Sequence, residues 1–406
     1  MKKIIISSIL FFGVIPCETA FFTFYKNAEF GSKFILMLNF LTCGIAGLLF
    51  IIGINNKHTD NEPIIIKYTF CGIAIMLLNT MASMITGEES SSRAMSIICL
   101  FAYYLYVLYV FKKPDDIVKS INITLLFLIL SSFILFYVSP QNVTYIENAT
   151  TRYFKGVSHN RNSYADIALL YIASNIYLWS RNKKHTIFYL LTTGVAFYTT
   201  YLTHSATSTI CAILLIVLSL MYVFTKKTIP LTVFLAGYVF IFISLIILQS
   251  ANTPFLSEIT NYFDKSTGLT GRTNIWTTTI DVIKNNPVFG RGYDTYALAK
   301  RGIVENDPHN SVLYILLTQG FCGIIMFLIM FYNPIKTAKR ILENNSLFSF
   351  MYNFVIVWMI RGLTESVFSY SHFTFWIAVI IIEILNLEKR KQRSMNEEIK
   401  NAEAIQ

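Results

Sequence analysis

Apolar residues dominate the chain in long runs without period-two alternation, and polar residues are confined to the connections between them. The runs lie near 4–25, 34–54, 64–86, 94–111, 121–139 and 164–180, with six more near 186–202, 207–224, 229–249, 311–332, 347–360 and 373–387. About 20 apolar residues cross roughly 30 Å of hydrocarbon as a helix, and most of these runs suffice; the seventh and eleventh are short. Inside a bilayer every backbone polar group needs an internal partner, so spans are helices or closed barrels, and the lack of alternation selects helices. The pattern predicts an all-α polytopic membrane protein of about 12 transmembrane helices with one long external loop carrying short amphipathic helices. The expected organisation is helices 1 to 9 within 1–249, the loop at 250–310, helices 10 to 12 within 311–387 and a basic tail at 388–406.

Composition agrees, with 54% hydrophobic and only 14% charged residues. Charge fixes sidedness. With the N-terminus cytoplasmic, the cytoplasmic segments are Lys2-Lys3, 55–67, KKPDDIVK, RNKK, Lys226-Lys227, IKTAKR and the tail from EKRKQR, and they hold 20 of the 33 Lys and Arg. One span more or fewer would put RNKK or the tail on the wrong side, so the net charge of +10 is topological and does not indicate nucleic-acid binding. The opening MKKIIISSILFFGVIPCETA imitates a signal peptide, but Pro16 before Cys17 suits neither usual cleavage, and an uncleaved first span is expected. The six cysteines lie in or beside apolar runs without metal-ligand spacing, so neither a disulfide nor a metal is expected.

The same topology puts GEESSSR, 141–163, THSATS, 250–310 and RGLTESVFSYSH outside the cytoplasm. Within GLTGRTNIWTTTIDVIKNNPVFGRGY, the residues Ile275, Trp276, Thr279, Ile280 and Ile283 recur at helical spacing, with Asp281 and Lys284 opposite and Asn285-Asn286-Pro287 as a stop. This predicts a short surface helix, with Trp276 as an interfacial anchor. Arg272 stands at its start, where unpaired N–H groups favour an anion, and could grip a phosphate through two parallel hydrogen bonds; snorkelling to lipid headgroups is the plainer reading. Arg291 sits between two glycines in a turn that could bring backbone close to a ligand, and Tyr293 could stack on a sugar or belong to an interfacial belt. His309, after Asp307-Pro308, could take a proton from an attacking hydroxyl or merely cap the following span. Arg361 with Glu365, and Arg161 with Asp166, add ionisable groups at the outer ends of spans, where their cost suggests a site. The sequence contains no P-loop, GxSxG, HExxH or DxD cluster, so a diphosphate would be neutralised by arginine.

Four segments, GLTGRTNIW, PVFGRGYDTY, PHNSVLYILLTQGFCGI and LTHSATSTICAILL, resemble in order the polytopic O-antigen polymerase and O-antigen ligase superfamily. The resemblance covers roughly a third of the chain, and its PHN element is the most specific. It implies metal-independent, inverting glycosyl transfer on the periplasmic face of the bacterial inner membrane. The donor would be an undecaprenyl-diphosphate-linked oligosaccharide, with no cofactor, and a chain-length regulator is a conceivable partner beside membrane lipid. Carried over by position, Arg272 holds the diphosphate leaving group, His309 meets the acceptor hydroxyl, and Asn310 fixes the histidine loop. The sequence departs from the family at Ser205-Ala206-Thr207, where many members carry an arginine; Arg161 or Arg291 could replace it. Ser-Ala-Thr tilts the expectation toward a polymerase, which extends the lipid-linked repeat, over a ligase, which passes the glycan to lipid A core. A flippase or transporter is the third reading, against which stand the nearly charge-free span centres and the absence of visible repeats.

Overall fold

The computed structural model describes residues 2–15, 28–56, 70, 73–75, 77–84, 91–110, 114–148, 151–158, 160–244, 272–292, 297–303, 307–341, 346–368, 372–373 and 376–377. The fold is an all-α membrane bundle: α1 (Lys2–Val14), α2 (Ala28–Asn56), α3 (Ser91–Val110), α4 (Pro114–Val138), α5 (Arg161–Arg181), α6 (Thr186–Tyr201), α7 (Ala206–Thr225), α8 (Leu231–Phe242), α9 (Arg272–Asn285), α10 (Ser311–Ile341) and α11 (Ser346–Gly362). Segments Asp115–Val138, Ala206–Thr225 and Ser311–Met330 are helices long and apolar enough to cross a membrane, and shorter apolar helices include Met37–Ile52 and Leu231–Phe242. The seventh and eleventh runs, short in the sequence, are both helical, as α6 and α11. The twelfth run lies mostly outside the described residues, as do 245–271 and the basic tail.

The organising element is α5, in which every residue from Tyr164 to Leu178 is buried. A helix buried on all faces needs neighbours on all sides, and α4, α6, α7 and α11 surround this one. Apolar area drives little association within lipid, so small polar side chains join the helices. Asn122 Nδ2 donates to Ser174 Oγ at 3.0 Å, tying α4 to α5. Asn175 Nδ2 lies within hydrogen-bond distance of the Tyr189 carbonyl and the Thr192 and Thr193 hydroxyls, which its two hydrogens share, tying α5 to α6. Asn353 Nδ2 donates to the Leu218 carbonyl at 3.0 Å, tying α11 to α7. Ile187, Leu190, Leu191, Ile213 and Val217 point outward and exposed, an inverted pattern that suits a lipid surround.

The segment between α4 and α5 is not a plain loop. It forms an antiparallel hairpin, β1 (Thr144–Asn148) with β2 (Thr151–Phe154), in which Tyr145 pairs with Tyr153. Phe154 packs against Tyr164 and Phe136 on the bundle side. The apolar pattern carried no sign of these strands, which are only five and four residues long.

The long helix α10 is broken at Gly320, whose φ of 60° and ψ of −156° are not helical. A break within an apolar span strands backbone groups that lipid cannot satisfy. Residues 287–292 fill it. The amides of Arg291 and Gly292 donate to the carbonyls of Leu317 and Thr318 at 2.8 and 2.7 Å, while those of Phe321 and Cys322 donate to Pro287 and Val288 at 2.8 and 3.1 Å. The glycines of the Gly-Arg-Gly turn thus bring backbone close to a broken helix. Gly290 has a φ of 67°, and a Cβ there would lie 2.5 Å from the Gln319 nitrogen; one on Gly320 would lie 2.4 Å from the Val288 carbonyl oxygen. Both positions combine left-handed backbone with no room. Gly302 shares the left-handed backbone, at φ 82°, but has nothing within 4 Å. Gly302→Ala should therefore cost about 1–2 kcal/mol, the left-handed penalty alone, whereas Gly290→Ala and Gly320→Ala should cost clearly more and lower the yield of folded protein. Thermal unfolding of the purified variants in detergent tests that order.

Candidate active site

At one end of the bundle the start of α9, the start of α10 and the turn after α11 meet. Helix α9 realises its predicted faces, with Ile275, Trp276 and Thr279 buried and Asp281 and Lys284 exposed. Trp276 is not the interfacial anchor expected from the sequence. Its side chain is 0% exposed, packs on Leu313, and donates from Nε1 to the Pro308 carbonyl at 3.0 Å. The indole thereby holds the residue before His309 against the surface helix. Asp307 holds the other side, accepting from the His309 amide at 2.7 Å and from Ser366 Oγ at 2.5 Å. His309 has a φ of 47°, a left-handed conformation that histidine adopts more readily than most residues but that still needs such support.

Glu365 is the centre of this junction. Its Oε1 accepts from Arg272 Nη2 at 2.7 Å and from Asn162 Nδ2 at 2.9 Å, and its Oε2 lies 3.2 Å from His309 Nδ1. Arg272 also donates from Nη1 to the Thr364 carbonyl at 2.5 Å. Burial alone would raise the Glu365 pKa, but Arg272, with His309 and Arg361, outweighs it and holds the carboxyl at about 2. An ionised carboxylate accepts only, so the proton of this contact resides on Nδ1, and in the neutral tautomer of the ring the lone pair lies on Nε2. Asn310, fully buried, donates to the Leu363 carbonyl at 3.0 Å and accepts from the Leu313 amide at 2.9 Å, locking the start of α10 to the turn after α11.

Arg361 is placed differently from expectation. It is 0% exposed. Its Nε donates to Asp166 Oδ1 at 2.5 Å, Nη1 to Ser208 Oγ at 2.6 Å and Nη2 to the Asn162 carbonyl at 2.7 Å. The sequence pairing of Arg361 with Glu365 and Arg161 with Asp166 is thus exchanged: Arg361 takes Asp166, Arg272 takes Glu365, and the Arg161 guanidinium lies 4.3 Å from the centre of the Tyr153 ring. Asp166 also faces His372 Nε2 at 3.0 Å. At the start of α7, where the family arginine is missing, the guanidinium beside Ser208 is that of Arg361, from neither loop named by the sequence. Arg291 is half-buried, its backbone in the helix break. Tyr293 lies outside the described residues.

Sequence reasoning missed Asn162 and Ser208. Ser208 Oγ donates to Ser205 Oγ at 2.6 Å, and Ser205 lies 3.2 Å from Asn162 Oδ1, so the two ion pairs join through Asn162. A polar Asn-Arg-Asn cluster before an apolar helix and a Ser-x-x-Ser at a helix start were the available signals, and both also read as ordinary caps.

The class is defined first by architecture: an all-α membrane protein with a histidine, an arginine and a buried carboxylate gathered at one end. Residues 191–328 match the family model for O-antigen ligase. That stretch, about a third of the chain, holds Arg272, Arg291, His309 and Asn310 and supports the O-antigen ligase and polymerase superfamily, a family of glycosyltransferase-like membrane enzymes. Glu365, Arg361 and Asn162 fall outside it. No curated protein matches the chain.

Glu365 sets an acid limit. Its folded pKa of about 2 lies below the ordinary 4.5, so its contribution to stability is present above pH 4.5 and lost as pH falls toward 2. The shift corresponds to something on the order of 3 kcal/mol. Thermal unfolding across that window should show a fall in the wild type that Glu365→Gln lacks, the variant being less stable at neutral pH.

Proposed function

We propose that the chain is a bacterial surface-polysaccharide polymerase that transfers an undecaprenyl-diphosphate-linked glycan onto the non-reducing end of a lipid-linked repeat unit at the periplasmic face. The observation that carries this reading is the convergence of Arg272 and His309 on Glu365. The Nε2 lone pair of His309 takes the proton of the acceptor hydroxyl as its oxygen attacks the anomeric carbon. The bond from that carbon to the phosphate oxygen breaks with inversion, and the diphosphate leaves against Arg272. Glu365 serves both: it sets the tautomer of His309, stabilises the imidazolium that forms, and holds the arginine in place. Asn310, Asn162 and Arg361 position these groups, and Arg161, Arg291 and Tyr293 remain the candidates for contact with the glycan and diphosphate. A second reading, a ligase passing the glycan to lipid A core, is favoured by the description of the matched family; the donor chemistry is the same.

Arginine-to-alanine substitution at 272 and histidine-to-alanine at 309 should each reduce transfer by about 10²-fold or more at unchanged protein level. Arg272→Lys should remain impaired, because an ammonium cannot make the paired contacts of a guanidinium. Gel separation of surface glycolipid from a deletion strain distinguishes the acceptors. Lipid A core bearing a single repeat unit identifies a polymerase; bare core with accumulated lipid-linked polymer identifies a ligase. Lipid-linked repeats retained on the cytoplasmic leaflet would replace both with a flippase.

A further inference from the structure

The outer face of the β1–β2 hairpin carries a cluster of rings that the reaction above does not use, with Arg161, already a candidate glycan contact, beside it. Alternation in β2 sends Phe154 into the bundle and Tyr153 to the opposite face, where its direct partner Tyr145 stands with ring centres 5.8 Å apart and planes 38° from each other. Arg161 lies over Tyr153, and the His204 ring meets Tyr153 edge-on at 5.8 Å. Tyr201, 57% exposed, lies 6.4 Å from His204. Four aromatic rings and a guanidinium thus form one partly open surface.

The surface is built rigidly. The Phe154 amide donates to the Leu202 carbonyl at 3.3 Å, binding the hairpin to the corner that carries His204, and the amides of Lys155 and Gly156 both donate to the Val143 carbonyl at 2.8 and 3.1 Å. His204 itself has a φ of 50°, so its ring is presented by a strained backbone. The surface is also adjacent to the reacting groups. Arg161 precedes Asn162, which donates to Glu365, and His204 precedes Ser205, which bonds Asn162.

We propose that Tyr145, Tyr153, His204 and Tyr201, with Arg161 at their edge, form a carbohydrate subsite that holds the glycan leading into the Arg272–His309 centre. The electron-rich ring faces suit the electropositive C–H face of a pyranose. The Arg161 and His204 nitrogens and the tyrosine hydroxyls suit its hydroxyls, or the carboxylate of an acidic sugar. A plain lipid-interface belt would need the rings' amphipathic character alone, and neither the guanidinium stack nor the left-handed histidine. This subsite rests on the glycosyl-transfer reading for its biological ligand but stands on its own geometry.

The test is saturation-transfer NMR on the purified full-length protein in detergent, with the repeat-unit oligosaccharide released by mild acid from the host's own surface polysaccharide. Wild type and Arg272→Ala should both transfer saturation to the sugar ring protons. Tyr145→Leu/Tyr153→Leu, which keeps apolar area but removes the rings, should weaken binding at least tenfold, and Tyr153→Phe should restore most of it in the Tyr145-intact background. No transfer in wild type at millimolar saccharide, or unchanged transfer in the double leucine variant, overturns the subsite. Thermal unfolding guards against misfolding: if the double leucine variant is destabilised, His204→Ala and Tyr201→Leu carry the test with the same expected loss. Should Arg272→Ala leave polymer formation intact while the saccharide still binds the platform, the catalytic reading fails and the subsite remains.

Discussion

A carboxylate that stays ionised while buried is the constraint around which the rest of this structure is arranged. Glu365 is only 7% exposed, and an uncompensated charge in so buried a position costs several kcal/mol. Its partners come from three separate elements: Arg272 from the start of α9, His309 from the start of α10 and Asn162 from the start of α5. Separating any of these leaves the anion short of a donor. The same bonds that satisfy it bring an imidazole and a guanidinium together, so the electrostatic demand of the fold and the chemical demand of the proposed glycosyl transfer coincide.

The second ion pair supports the first. Arg361 and Asp166 are both buried and close α11 onto α5 and α7, with the Asn162 carbonyl and Ser208 taking the remaining guanidinium bonds. Asn162 is therefore gripped through its main chain by one arginine and presents its side-chain amide to the carboxylate that holds another. Lower in the bundle the joints are uncharged, made by Asn122, Asn175 and Asn353, as the expense of ions at membrane depth requires. Polarity is graded along α5, from ion pairs at its start to amides in its middle.

The helices were legible because hydrocarbon thickness imposes a length on them, and α9 was legible because its one-sided burial leaves a period. Arg272 could be named because it stands at the start of the amphipathic surface helix, and Glu365 and His309 because the topology placed them at the outer ends of spans; the three meet at one end of the bundle. Their pairing could not be read. Arg361 is four residues from Glu365 and 195 from Asp166, yet bonds the distant carboxylate, since sequence spacing says nothing about which helices are neighbours. Trp276 misled for a related reason: an exposed indole and one buried under a loop read alike until the loop is placed. The helix break at Gly320 was visible only as a Gln-Gly pair, because what makes it tolerable is a loop some 30 residues upstream.

That loop has a consequence for how the protein is made. Residues 287–292 precede α10 in the chain, so they leave the ribosome before the helix whose break they fill. The two halves of α10 cannot both lie in lipid as finished helices until the Pro287–Gly292 strap returns to supply its amides and carbonyls. A segment made earlier thus acts on a span that follows it. Completion of α10 and docking of the 287–292 strap become a single event, in which His309, at the head of that helix, is set in place only when the span beneath it is complete.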